Sequence, residues 1–577
     1  MTTRFQERRW QVTAVPSQLR QQLAQACGIP PLLAGLCINR GLHTVSQIQR
    51  FLHASLHDLY NPFTMHGMEQ AVERIVQALH RGERMVVYGD YDVDGVTATA
   101  LLIRFFRALG IEVPYYLPHR EQEGYGVHAG ALHRLHAEGT TLVITVDCGI
   151  SATEEMRLAR SLGIDVIITD HHQCPPELPE AVAILNPHQP CCSYPTRVLS
   201  GVGVAFKLVT ALRARLREER AWKRRLPNLR QHLDLVALGT IADLVPLVDE
   251  NHILARQGLL ELSRTGKVGL QALQKVAGLH PAHLNAEQVS FALAPRLNAA
   301  GRLETARAAV ELLITEDPQQ AWQLALALDR INQKRQAIQE RILQSARHQL
   351  ESCPALAQGQ AIVLADESWH PGVIGIVASK LAAEYAKPTI LISVQGDMGR
   401  GSGRSIPPLH LYEGLIPCRE WLLTFGGHGA AAGLTIERRH IESFRVRFNQ
   451  VVEELLGGEP FIPTLQIDAE VTLAELSPSF LEALQRLEPF GEGNPPPIFA
   501  AYDLEAIGTP QALGRGQDHL RLTVRQDSTV VPTIGFHLAH LLPAIQRSPR
   551  FSLAFTPQLN RWNGREELQL LVRDIRW

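Results

Sequence analysis

Between about residue 80 and residue 190, short apolar runs alternate with helix-length stretches: "RMVVYGD", "TLVITVDCG", "IDVIITDHH" and "AVAILNP". These runs are apolar at consecutive positions rather than at every second one, which suits strands covered on both faces. The spacers between them are long enough for the crossovers that parallel strands require. The pattern predicts a doubly wound α/β domain built on a parallel sheet.

Further on, "PQQAWQLALALDRINQKRQAIQERILQSARHQL" (residues 318 to 350) has helical apolar spacing and no internal Pro or Gly, so it predicts one long amphipathic connecting helix. Next, "AIVLADES" and "PTILISV" flank the helical "GVIGIVASKLAAEYA", a second and smaller α/β unit closed by the Gly- and Pro-bearing "LLGGEPFIP". From Thr464 the runs become short and alternating ("HLRLTVRQ", "RFSLAFTPQL"), and Asn563-Gly564 sits between two of them as a hairpin turn, so a small antiparallel barrel is expected. The expected divisions are an N-terminal extension (1–60), the larger α/β domain (61–315), the connector (316–355), the smaller α/β domain (356–458) and the barrel (464–577).

Composition narrows the class. With 577 residues, 45% hydrophobic and 20% charged, the chain has the make-up of a multidomain globular protein. It has no apolar run near the roughly 20 residues of a membrane helix. The first residues carry charge without a following apolar segment, so no secretory signal is expected and a cytoplasmic location is. Eight scattered cysteines without a C-x-x-C pair read as reduced thiols. "HQPCC" (188 to 192) lacks the second ligand pair of a zinc site. A net charge of −2 is compatible with an acidic metal site balanced by a basic track.

The chemistry starts at "VVYGDYDVDG". Asp90, Asp92 and Asp94 stand at every second position after an apolar run, where like charges repel unless a cation lies among them. In an open parallel sheet, functional groups gather beyond the carboxyl ends of the strands. Asp147 ("VDCG") and Asp170-His171-His172 ("DHH") end the next two predicted strands, so all should converge in one crevice. Asp243, in "LDLVALGTIADLVP", lies in an apolar helical context where an unpaired carboxylate is costly. Carboxylates with imidazoles suit two divalent cations, Mn²⁺ or Mg²⁺, with His favouring Mn²⁺. Taken singly, each motif also reads as a solvated turn, a calcium loop or surface histidines.

Glycine-rich "GRGSGRS" (399 to 405), read as following a strand, and "FGGHGAAAG" (425 to 433) would let backbone N–H groups approach a phosphate, with Ser402, Arg404 and His428 as contacts. "APRLNAAGR" carries Arg296, Asn298 and Arg302 in a polar break, and Arg120 precedes the glycine turn of "PHREQEGYG". A surface salt bridge is the other reading of each arginine. The basic stretch 212 to 225 reads as a solvated helix face. Phe490, Phe499, Tyr502, Phe536 and Trp562 in the barrel are either core or a base-stacking platform.

The ordered set "DYDVDG", "VDCG", "DHH", "LGTIAD", "RLNAAGR", "GSGRS" and "GGHGAAAG" closely resembles the RecJ family of single-strand-specific exonucleases, within the DHH phosphoesterase superfamily. The resemblance implies a DHH catalytic domain, a long connecting helix, a DHHA1 substrate-binding domain and a C-terminal OB-fold domain. It also implies processive 5′ to 3′ degradation of single-stranded DNA to mononucleotides in repair and recombination. By resemblance, Asp92, Asp94, Asp147, His171 and Asp243 are metal ligands and Asp90 a further ligand or supporting acid. His172 is then a phosphate contact and Asp170 orients the histidines. Arg302, Ser402 and Arg404 hold the 5′-terminal phosphate, with Arg120 and His428 as substrate contacts. A monomer supplied with substrate by a single-strand-binding protein and a helicase is expected. Two other readings stand beside it: a DHH phosphodiesterase of short oligonucleotides or cyclic dinucleotides, and an inactive single-strand-binding scaffold.

Overall fold

The computed structural model describes residues 8–120, 122–219, 222–457, 463–514, 516–548, 550–562 and 565–577. Five parallel strands form the larger α/β sheet: β1 (Met85–Tyr88), β2 (Tyr115–Tyr116), β3 (Leu142–Val146), β4 (Asp165–Thr169) and β5 (Ala183–Leu185). Their order is β2-β1-β3-β4-β5, with every neighbouring pair parallel. Every residue of β1 and β3 is buried, as their unbroken apolar runs require. The switch in strand order falls between β1 and β3, which places the ends of those two strands at the natural crevice of the sheet.

Arg8–Pro295, Ala306–Ala325 and Thr464–Trp577 form one structural unit; Arg296–Thr305 and Leu326–Pro463 form the other. In the first unit, residues 8–60 are part of a shared core. Arg9–Val12 pairs in parallel with Thr464–Ile467, and Leu23, Leu33, Leu36 and Phe51 pack with Phe480, Phe499 and Phe555 of the C-terminal region. Complete burial of such side chains contributes about 1.5–3 kcal/mol each. The segment reads as an extension in the sequence because its partners lie at the far end of the chain.

The C-terminal sheet closes into a barrel: Phe499–Leu513 pairs with both His519–Gln526 and Phe551–Trp562, and Thr529–Gly535 pairs with Arg565–Arg576. The barrel is antiparallel apart from two parallel pairings. Phe499 is fully buried, Phe490 packs against the same core, and Tyr502 and Phe536 are exposed. The Asn563-Gly564 turn and the Trp562 side chain lie outside the described residues, as does most of the "LLGGEPFIP" linker.

In the second unit the sheet is mixed. Ile362–Asp366 and Thr389–Gln395 run parallel around the helix Pro371–Tyr385, and Met398–Arg404, Ala431–Glu437 and Leu422–Gly427 extend the sheet antiparallel. "GRGSGR" is therefore a strand itself, not a loop after one. Its glycines answer to packing: a Cβ at Gly401 would lie 2.6 Å from Leu434 Cδ1, and one at Gly403 2.9 Å from Leu411 Cδ2. "RLNAAGR" is likewise not a polar break but lies in the helix Ala294–Leu303. The connector is one helix, Pro318–Ser352. Residues 212–218 of the basic stretch lie in the helix Gly201–Glu218. Among the described residues, no helix is long and apolar enough to cross a membrane.

Candidate metal centre and phosphate-binding residues

Three strand ends deliver the acidic groups to one place. After β1, Asp90 is buried, and Asp92 caps the helix Val93–Ala108, its Oδ1 accepting from the N–H groups of Asp94 (3.0 Å) and Gly95 (3.1 Å). Asp94, in the first turn, accepts from Gly201 N (2.5 Å) and Val202 N (2.9 Å), at the start of the helix Gly201–Glu218. After β3, Asp147 holds a left-handed backbone conformation (φ 62°), the kind of strain that clusters at functional sites. After β4, Asp170 Oδ1 accepts from the backbone N–H groups of His171 (2.8 Å) and His172 (3.2 Å), and Oδ2 from Ile150 N (3.0 Å). Asp243 follows the apolar helix Leu233–Ala242.

His171 Nε2 is the meeting point. It lies 3.1 Å from Asp147 Oδ1, 3.5 Å from Asp243 Oδ2 and 3.9 Å from Asp94 Oδ2. Ligand atoms of Asp94, His171 and Asp243 lie within 4.8 Å of one another, as do those of Asp147, His171 and His172 and those of Asp90, Asp92 and Asp147. Glycines make room: a Cβ at Gly201 would come 2.6 Å from Asp147 Oδ1, and one at Gly239 2.8 Å from Asp94 Oδ1.

The electrostatics are those of a site made for cations. Burial, and then the charge of Asp92, push Asp94 up to about 7. Asp90, Asp147 and Asp243 rise well above the usual carboxylate range, by burial first and neighbouring aspartates second. Burial, reinforced by the adjacent His172, lowers His171 to about 4, which leaves its imidazole neutral and able to donate a lone pair. His172 behaves oppositely. Burial opposes its charge, but a 2.7 Å hydrogen bond from Nδ1 to Asp170 raises it to about 9, while Asp170 stays low.

Divalent cations fit this donor set. Asp90 Oδ1, Asp147 Oδ1 and His171 Nε2 are buried without a hydrogen-bond partner, an arrangement that is costly unless something positive is held there. Carboxylate oxygens with a neutral imidazole match Mn²⁺, and Mg²⁺ with less preference for the nitrogen.

Tyr125 is a residue that sequence reasoning missed: its hydroxyl donates to Asp147 O (3.2 Å) and lies 3.0 Å from His172 Nδ1. Only its place in the glycine turn after Arg120 hinted at a role. Gly201 and Gly239 were missed as well, since a glycine inside a helical pattern signals packing of any kind. Arg120 stacks over the Tyr91 ring (5.0 Å), close enough for its charge to act on Asp90.

In the second unit, Arg302, Ser402 and Arg404 gather at the first turns of the helix Pro371–Tyr385. Arg302 Nη1 donates to Gly372 O (3.3 Å), Arg404 Nη1 to Ser402 Oγ (3.2 Å), and a Cβ at Gly375 would lie 2.8 Å from Ser402 Oγ. A helix N-terminus beside two guanidinium groups and a hydroxyl favours a phosphate. Arg296 is instead paired with Asp329 (2.8 Å), and Asn298 is half-buried on the same helix. His428 is exposed in the turn between Leu422–Gly427 and Ala431–Glu437. Among the described residues, no cysteine belongs to a group of three or more side chains placed to hold a metal ion.

The chain matches the models of the DHH family N-terminal domain over residues 84–240, the DHHA1 domain over 358–454 and the RecJ OB domain over 467–574. It is 39% identical over 568 residues to the single-stranded-DNA-specific exonuclease RecJ of Bacillus subtilis (98% of this chain, 70% of the relative). It is 36% identical over 566 residues to that of Escherichia coli (95% and 96%). Crystal structures of RecJ from Thermus thermophilus in complex with Mn²⁺ (TM-score 0.84, 31% identity, 99% of this chain and 79% of that one) and with Mg²⁺ (0.77, 29%, 99% and 78%) share the fold. With three successive domain matches and full-length relatives of this identity, the chain belongs to the RecJ family of single-stranded-DNA-specific exonucleases.

Proposed function

We propose that this chain hydrolyses single-stranded DNA from its 5′ end and releases 5′-mononucleotides. The observation that carries this reading is the set of buried atoms without a hydrogen bond, Asp90 Oδ1, Asp147 Oδ1 and His171 Nε2, at converging strand ends. Two divalent cations, Mn²⁺ or Mg²⁺, would supply Lewis acidity toward the scissile phosphate and lower the pKa of the attacking water. Asp92, Asp94, Asp147, His171 and Asp243 would hold them, with Asp90 completing the set. His172, whose Nδ1 lies 2.7 Å from Asp170 Oδ1, would offer its other ring N–H to a phosphoryl oxygen and stabilise the charge that develops there. Tyr125 fixes the Asp147 backbone and the position of the His172 ring.

Arg302, Ser402 and Arg404 are assigned to the terminal phosphate of the strand, and Arg120, Arg296, Asn298 and His428 to contacts along it. The barrel is assigned a role in retaining long strands, with exposed Tyr502 and Phe536 available for base stacking. The domain limits given above, a monomeric state, a cytoplasmic location, and supply of substrate by a helicase and a single-strand-binding protein complete the reading.

Asp147→Ala and His171→Ala test it. Both should abolish metal-dependent digestion of single-stranded DNA while leaving the fold intact, and EDTA should do the same to the unmodified enzyme. Full activity in either variant would end the assignment. A non-catalytic scaffold would be indifferent to EDTA. An enzyme of short oligonucleotides or cyclic dinucleotides would show no preference for long strands.

A further inference from the structure

On the barrel, a second group of metal-ligating side chains stands apart from the aspartate cluster. Asp518 Oδ2 lies 2.7 Å from His537 Nδ1, and Asp518 Oδ1 lies 3.3 Å from His519 Nδ1. One ligand atom from each of the three residues lies within 4.8 Å of the other two. The scaffold beneath them is a pair of neighbouring strands. His519 opens the strand His519–Gln526 and His537 follows the strand Thr529–Gly535, and the two strands are paired with Leu520 opposite Gly535. The backbone N–H of Ala539 donates to Asp518 O (3.1 Å), and the backbone N–H of His537 donates to the His519 ring at Nδ1 (3.3 Å). His537 adopts a left-handed backbone (φ 58°), uncommon for residues other than glycine.

We propose that Asp518, His519 and His537 bind one first-row divalent cation of the Zn²⁺ class, separate from the cations of the nuclease centre. Two imidazoles and one carboxylate are a donor set that prefers Zn²⁺, Ni²⁺ or Co²⁺ over Mg²⁺, and three protein ligands leave a position open. The ion would staple the start of one barrel strand to the end of its neighbour, so its binding would stabilise the folded chain by mass action.

The test uses the full chain, freed of metal and titrated with Zn²⁺ alone, with bound metal counted after gel filtration. His519→Ala and His537→Ala should each bind one equivalent fewer than the unmodified protein and keep its Mn²⁺-dependent nuclease activity. Asp147→Ala should retain the equivalent that those two lose. The His537 side chain is three-quarters exposed, so its removal leaves the barrel core untouched and a folding defect cannot imitate the result. Equal stoichiometry in the unmodified protein and both histidine variants would overturn the proposal.

Discussion

Gly201→Ala places a single methyl group where the structure has no room for one. The new Cβ would stand 2.6 Å from Asp147 Oδ1, 2.7 Å from its Cβ and 2.8 Å from its Cγ, each well inside van der Waals contact. Relief has two routes. Asp147 can turn away, which takes its carboxylate from His171 Nε2, or the start of the helix Gly201–Glu218 can retreat, which lengthens the two hydrogen bonds from Gly201 N and Val202 N that orient Asp94. Each route moves a proposed metal ligand. Overpacking of this kind costs about 1–3 kcal/mol of stability. A displacement near 1 Å in a reacting constellation costs on the order of 10²-fold in rate. The assay is the initial rate of nucleotide release from single-stranded DNA over a Mn²⁺ titration, with thermal denaturation in EDTA to confirm folding. The variant should be slowed about 100-fold and need more Mn²⁺ for half-maximal rate. Gly130→Ala is the control: nothing lies within 4 Å of its added Cβ, at an exposed position in the first turn of the helix Ala129–Ala137, so activity should hold and stability rise by up to about 1 kcal/mol. A folded Gly201→Ala with normal rate and normal Mn²⁺ dependence would refute the role given to Asp147 and Asp94.

Other consequences are open to direct measurement. Asp147→Asn removes one of several buried carboxylates that repel one another, so it should raise the melting temperature in EDTA and shrink the gain on adding Mn²⁺; a differential scan in both conditions decides. Glu250 is fully buried, pairs with Lys207 (2.6 Å) and accepts from Tyr194 (2.5 Å) and Tyr60 N (2.6 Å), so Glu250→Gln should cost about 3–5 kcal/mol in denaturant unfolding by leaving the lysine charge uncompensated. Burial lowers His232 and His252 to about 3, against about 6.5 in the unfolded chain. The unfolded state therefore binds more protons below pH 6.5, and their contribution to stability, whole above that pH, is lost as pH falls toward 3. At pH 5 each accounts for about 2 kcal/mol, and His252→Leu should flatten the acid limb of a stability–pH curve by one proton. Removal of residues 464–577 alone should destabilise the chain and expose apolar surface to dye, because Leu23, Leu33 and Phe51 lose their partners.

The catalytic sheet was legible because both of its faces are covered. Continuous Val and Ile runs identify such strands, and the position of an Asp directly after each run then fixes its place at the strand end. Asp90, Asp147 and Asp170 could be grouped from that rule alone. The glycine-rich stretches misled for a related reason. A glycine that leaves space for a phosphate and one that leaves space for Leu434 look identical in sequence, and in Gly399, Gly401 and Gly403 packing is what the residue serves. Residues 8–60 were opaque because the side chains they bury against, such as Phe480, Phe499 and Phe555, lie more than 400 residues away in sequence. Tyr125 was missed because its function depends on one hydroxyl reaching Asp147 across a glycine turn, which no local spacing encodes.

Metal-dependent hydrolysis from the 5′ end is tested by a time course on single-stranded DNA labelled at the 5′ or the 3′ end, in Mn²⁺ and again in EDTA, with Asp147→Ala alongside. Immediate release of 5′-labelled mononucleotide, late release of the 3′ label, and no release in EDTA or in the variant are expected. Release of the 3′ label first would contradict the proposed polarity, and metal-independent cleavage, or full activity of Asp147→Ala, would contradict the proposed chemistry.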